Sequence, residues 1–124
     1  MRYLFGFTLI AIVMAFQFSD AHKEFVLIPG YGIFLHILGG MGVALLASAV
    51  LRFWRLSLLK KNIIVLILTL VAGLAWEYWE IYFGLTGRVL WSSAYFIDTL
   101  KDLAVDLIGG IAALFFTIKN DKLS

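Results

Sequence analysis

Cysteine is missing from this chain of 124 residues, and proline occurs once. The first absence excludes disulfides and thiolate metal sites. Charge is scarce as well. Only 15% of residues are charged, the formal net charge is +2, and the basic residues form no cluster of the kind a nucleic-acid-binding face requires. Several catalytic signatures are also missing. There is no H-E-x-x-H helix of a zinc protease, no G-x-S-x-G elbow and no glycine-rich phosphate loop with a lysine. A di-iron carboxylate bundle needs Glu-x-x-His pairs, and the residue three places after Glu77 is Glu80. Ser92 and Ser93 have no base beside them in sequence, which makes a serine nucleophile a weak proposal.

What the chain does have is hydrophobicity. Hydrophobic residues make up 63% of it, and the mean hydropathy is +0.99, where a soluble domain averages roughly 45–50% apolar residues. The apolar runs fall at about 3–19, 31–51, 63–83 and 99–118. A helix of about 20 apolar residues spans a bilayer, and a helix leaves no backbone group unpaired in lipid. The expected fold is therefore all-α: four transmembrane helices in one compact bundle over residues 1–124. Met1-Arg2, the first run and Ser19-Asp20-Ala21 also resemble a secretory signal with a cleavage site. A retained helix is the expectation and a cleaved signal the alternative.

Orientation follows from the basic residues. With both termini in the cytoplasm, Arg2, Arg52, Arg55, Lys60, Lys61, Lys119 and Lys122 lie inside, and only Lys23, Arg88 and Lys101 lie outside. Trp76, Trp79, Tyr82, Trp91 and Tyr95 then gather at the outer boundary as an aromatic belt, and Trp54 marks the inner one. The protein is expected in the cell's inner (plasma) membrane.

In that frame six ionisable residues stand out: His36, Glu77, Glu80, Asp98, Asp102 and Asp106. An ionised group at bilayer depth costs at least ~2.5–3.5 kcal/mol for the worst residue types, so such groups are rare unless they share a site. At about 1.5 Å rise per residue, all six fall within roughly 12 Å of the outer boundary. Helical spacing also puts them on stripes of small or polar residues. These are His36, Gly40, Ala44 and Ala47 on the second span, and Thr69, Gly73, Glu77, Glu80 and Gly84 on the third. The fourth span gives Asp98, Asp102, Asp106, Gly109 or Gly110, Ala113 and Thr117. The three stripes are expected to face one another, with carboxylates at one level and small residues packing beneath.

Five carboxylates against Arg88 and Lys101 leave an excess of negative charge that a low-dielectric site does not sustain. Either protons or a cation must neutralise it. Carboxylates with one imidazole form a mostly hard ligand set, suited to Mg, Mn, Ca or non-haem Fe, with Zn also accommodated. Blander roles stand beside this one. Asp98 is placed to cap a helix start, and Glu80 to snorkel to the interface. His36 suits a simple interhelical hydrogen bond, and Asp106 a pairing with Lys101 or a threonine. Arg88 suits a headgroup contact, and the glycine pairs suit close helix packing.

Read in order, His36-Ile-Leu-Gly-Gly40, Trp76-Glu77-Tyr-Trp-Glu80, and Asp98-Thr-Leu-Lys-Asp102 continuing to Leu107-Ile-Gly-Gly110 resemble the pattern of small bacterial YjdF-type inner-membrane proteins. The resemblance covers about residues 31–112. A more distant similarity is to VanZ-like proteins, with Arg88, Asp102 and Asp106 in the places of a loop arginine and an Asp-x-x-x-Asn pair; Asp106 stands where that pattern has Asn. The first resemblance implies a small helical membrane protein. The second implies a link to glycopeptide resistance through the cell envelope. Neither supplies a reaction.

Three functions compete. The first is a divalent-metal site acting on a lipid headgroup or envelope precursor, a metal-dependent hydrolase or transferase. Its ligands would come from His36, Glu77, Glu80, Asp98, Asp102 and Asp106, with His36, Glu77 and Asp102 catalytic and Arg88 on the substrate. The second is a proton- or cation-coupled carrier or lipid translocator, which demands a homo-oligomer and a polar path to the other face. The inner halves of the spans offer that path only Ser48, Thr69 and Thr117. The third is an accessory subunit whose polar network fixes helix pairing. The bilayer is the partner common to all three.

Overall fold

A computed structural model of the chain describes residues 1–18, 24, 27–84 and 89–123. Among these residues the fold is all-helical: α1 (Arg2–Phe18), α2 (Tyr31–Leu51), α3 (Leu58–Tyr82) and α4 (Ser93–Leu123). The expected runs match α1 and α2 closely. Both α3 and α4 begin before their apolar runs, and α4 also continues past the end of its own.

The reason is capping. Ser57 stands just before α3, and its hydroxyl accepts the Lys60 amide at 3.4 Å. Ser92 does the same for α4, accepting from Tyr95 N–H at 3.2 Å. A serine cap satisfies an amide that helix geometry leaves without a partner, at about 1 kcal/mol. Lys60, Lys61 and Asn62 then belong to the first turns of α3, although hydropathy alone assigns them to a loop. The same finding removes the capping role from Asp98, which lies more than a turn inside α4.

At the other end of α3, Gly84 takes a left-handed backbone (φ +67°) and its N–H bonds Ile81 O at 3.1 Å. This closes the helix as a glycine readily does. Gly30, also left-handed at φ +84°, follows Pro29 and opens α2. The chain's one proline is therefore at a helix boundary.

The helices are arranged around α2, which packs along α1, α3 and α4 and makes its broadest contact with α4. That contact is a backbone approach. A Cβ at Gly40 would collide with the carbonyl oxygen of Asp106, and one at Gly109 with the carbonyl of Ile37. On the α1 side, a Cβ at Gly6 would fall 2.9 Å from Leu46, and one at Gly42 would fall 2.8 Å from Ile10. Beneath these glycines lies the apolar core of Leu9, Ala44, Leu45, Leu51, Val65, Ala113 and Leu114.

The outer surface inverts the usual pattern. Phe5, Phe7, Ile63, Ile67, Val71, Leu74, Ile108 and Phe115 are exposed, while Thr69, Glu77, Asp102, Asp106 and Thr117 are buried. Large apolar groups outside and small or polar ones inside is the arrangement expected of helices solvated by lipid. Among the described residues, α2 and α3 are long and apolar enough to cross a membrane.

Candidate functional site

The first turns of α2, the last turns of α3 and the early turns of α4 lie side by side, and the acidic residues meet there. His36 is the centre. Its Nδ1 lies 3.0 Å from Asp106 Oδ1, and its Nε2 lies 3.5 Å from Asp102 Oδ2. Asp102 and Asp106 are one helical step of four apart on α4, so their carboxylates bracket the two edges of one imidazole. Glu77 reaches the same point from α3. One ligand atom from each of His36, Glu77 and Asp102 lies within 4.8 Å of the others.

The remaining acidic residues occupy distinct places. Glu80 lines the cavity beside this cluster, and its Oε1 accepts from Trp76 Nε1 at 3.0 Å. Asp98 sits at the rim, where Lys101 Nζ donates to it at 2.9 Å across an i,i+3 step. Lys101 also approaches Asp102 Oδ1, at 4.0 Å. Asp106 takes His36 as its partner, not the lysine or threonine that sequence spacing offered. Arg88 lies outside the described residues, as do Ser19, Asp20 and Ala21.

Two buried oxygens of this cluster have no hydrogen-bond partner among the described residues: Glu77 Oε1 and Asp106 Oδ2. Both residues are buried, at 6% and 5% exposure. A buried acceptor without a donor costs about 1–3 kcal/mol, more when it is charged. Their other oxygens are held, Glu77 Oε2 by the Thr99 hydroxyl at 3.1 Å and Asp106 Oδ1 by His36. Each carboxylate is thus fixed by one oxygen and presents the other. Asp106 Oδ2 lies over Gly73, whose missing side chain makes the room; a Cβ there would overlap the oxygen.

A cavity of about 640 Å³ opens beside the cluster. His36, Glu80, Asp98, Asp102 and Asp106 line its polar part, and Ile10, Val13, Met14, Val43 and Ala72 its apolar part. α1 takes part through Gln17, which is buried and lines the cavity.

Sequence reasoning missed Thr99 and Trp76 as the donors that fix Glu77 and Glu80. Trp76 was accounted for as an interface aromatic, although its spacing of four from Glu80 on one helix is the legible signal. Thr99 had no local signal, since its partner is on another helix. Deeper in the bundle two hydroxyls serve their own helices: Thr69 Oγ1 donates to Val65 O at 2.9 Å, and Thr117 Oγ1 to Leu114 O at 2.8 Å, whereas the buried Ser48 Oγ has no partner among the described residues.

A family model described as "Predicted membrane protein (DUF2238)" matches residues 4–122 of the chain. No curated protein and no solved structure matches it.

Proposed function

The chain belongs to this family of predicted membrane proteins, and on that premise we propose that it holds a divalent cation in the polar cluster and acts on the headgroup of a lipid or lipid-linked envelope precursor. In this reading all four helices cross the plasma membrane with both termini inside, and the motif order is that of the YjdF-type pattern. The clustering of Arg52 and Arg55 between α2 and α3 with Lys60 and Lys61 in the first turns of α3 supports that orientation.

The observation that carries the metal is the two-sided pairing of His36. An imidazole that donates through Nδ1 to Asp106 presents a lone pair at Nε2. Nε2 faces Asp102 Oδ2 at 3.5 Å, and two acceptors so close call for positive charge between them, which a proton or a metal ion supplies. A carboxylate on the far ring nitrogen is also the usual support of a metal-ligating histidine. The ligands would be His36, Glu77 and Asp102, with Asp106 orienting the ring and Thr99 orienting Glu77. One nitrogen and two carboxylate donors suit Mg, Mn, Fe(II) or Zn.

When bound, such an ion polarises a phosphoryl or ester oxygen and stabilises the charge that develops there. Glu80, on the cavity wall and held by Trp76, is placed to take a proton from an attacking hydroxyl or water. Arg88 keeps its place as a headgroup contact through its charge alone.

A metal inventory of the purified protein, set against the Glu77→Gln/Asp102→Asn double variant, tests the proposal. A stoichiometric divalent ion in the parent, lost from a variant that still folds, is the expected result. A metal-free parent that also gains no thermal stability from added Mg, Mn, Fe(II) or Zn would end it.

A further inference from the structure

The cavity beside the cluster is completed by a helix that stands apart from two of its neighbours. Among the described helices α1 packs broadly on α2, and it reaches α3 through Phe18, whose ring meets Trp79 edge-on at 5.2 Å. Beneath that pair the two helices leave a gap, walled by Ile10, Val13 and Met14 on α1 and by Ala72, Ala75 and Trp76 on α3. Met14 and Ala75 line the gap and are also exposed, so it opens sideways to the bilayer. The α1 wall from Gln17 to Ile10 covers about 10 Å at ~1.5 Å per residue. With both termini inside, the polar end of the cavity lies outward and the apolar end inward. That is the order of head and chain in an outer-leaflet lipid.

Gln17 marks the place where the α1 wall changes character. It shares a helix face with Ile10, Val13 and Met14, lines the cavity, and is 8% exposed. Among the described residues its side-chain amide has no hydrogen-bond partner. A buried amide is costly against hydrocarbon, and a ligand with a hydrogen-bonding group at this level removes that cost. The amide is neutral and offers both donors and an acceptor, so it suits an ester carbonyl better than an ion. In an ester-linked glycerolipid that carbonyl stands between headgroup and chain. In a polyprenyl phosphate the same place is hydrocarbon.

We infer that the lipid taken by this site is an ester-linked glycerolipid, entering sideways between α1 and α3, with the Gln17 amide donating to an acyl ester carbonyl. The inference rests on the reading that the polar cluster receives a lipid headgroup. The headgroup lies toward His36, and the first part of one acyl chain lies against Ile10, Val13 and Met14. Gln17 selects the linkage between head and chain and takes no part in the chemistry. A site built to hydrogen-bond a group discriminates strongly against an analogue that lacks it.

The test is the lipid retained by the full-length protein after extraction from nanodiscs of equal parts diester phosphatidylglycerol and its diether analogue, which share headgroup and chain length. Metal content is measured on the same samples. The ester lipid should be enriched about fivefold, which corresponds to about 1 kcal/mol. Gln17→Leu should bring that ratio to one. In nanodiscs that also contain polyprenyl phosphate, Gln17→Leu should raise the retained share of that lipid, a gain that a misfolded variant does not show. Ala75→Trp, which fills the gap from the α3 wall, should reduce retention of every lipid. Equal retention of ester and ether lipid by the parent, an ester preference that survives Gln17→Leu, no gain of polyprenyl phosphate, or retention indifferent to Ala75→Trp overturns the inference, whatever the metal content. Ester selectivity in a protein that takes up no metal overturns the metal reading alone.

Discussion

The polar end of the bundle and its glycine–alanine end are built from the same three helices, yet they are packed on opposite terms. At Gly40 and Gly109 the backbones of α2 and α4 touch, and Ala44 and Ala113 are buried in the core beside them. One turn away, toward the start of α4, the same pair opens enough to hold an imidazole between two carboxylates. The close contact supplies dispersion and rigidity, which drive helix association where lipid provides no hydrophobic driving force. The polar end makes buried acceptors without donors, a cost that only a rigid surround can maintain. The comparison teaches that the tight end holds the strained end in register.

The strongest way to break this relation is at the tight end. Gly40→Val or Gly109→Val drives a side chain into the backbone of the facing helix. Each should cost about 3 kcal/mol or more, since backbone cannot move aside as a side-chain end can. Unfolding in detergent should show both variants far less stable, with the adjoining site lost as a consequence.

At the polar end the expected effect moves from stability to binding. Asp106→Asn keeps the shape and weakens the hold on His36, so divalent-ion affinity should fall about 10–100-fold. Titration of the purified protein with Mn or Zn measures it, and an unchanged affinity would remove Asp106 from the ring's support. Thr99→Val, nearly the same size, takes the donor from Glu77 Oε2 and should cost about 1–2 kcal/mol. That cost should shrink when metal is added, because the ion takes over the same carboxylate; equal costs with and without metal would separate Glu77 from the ion.

The smallest effect marks the edge of the site. Asp98 and Lys101 pair at the rim with partly exposed side chains, and such pairs contribute about 0–1 kcal/mol. Asp98→Asn should leave unfolding within about 0.5 kcal/mol of the parent and metal binding unchanged. A large loss of metal would extend the ligand set outward to α4's first turns.

The helices were legible because hydrophobic runs and a period near 3.6 are local properties of the chain. The stripes through His36, Glu77 and Asp102 were legible for the same reason, since a helix face follows from spacing alone. Helix ends were read less well. Hydropathy reports where lipid would be favourable, whereas Ser57 and Ser92 set where hydrogen bonding begins.

Composition and periodicity thus determined an all-helical chain whose small and acidic residues share faces, because both depend only on neighbours along a single helix. Which acidic residue would meet which partner was decided by tertiary structure. Asp106 on His36, Thr99 on Glu77, and Gln17 in the cavity wall depend on the rotation and offset of one helix against another. The glycine contacts of α2 with α1 and α4 fix those offsets, and a periodic sequence is compatible with several of them.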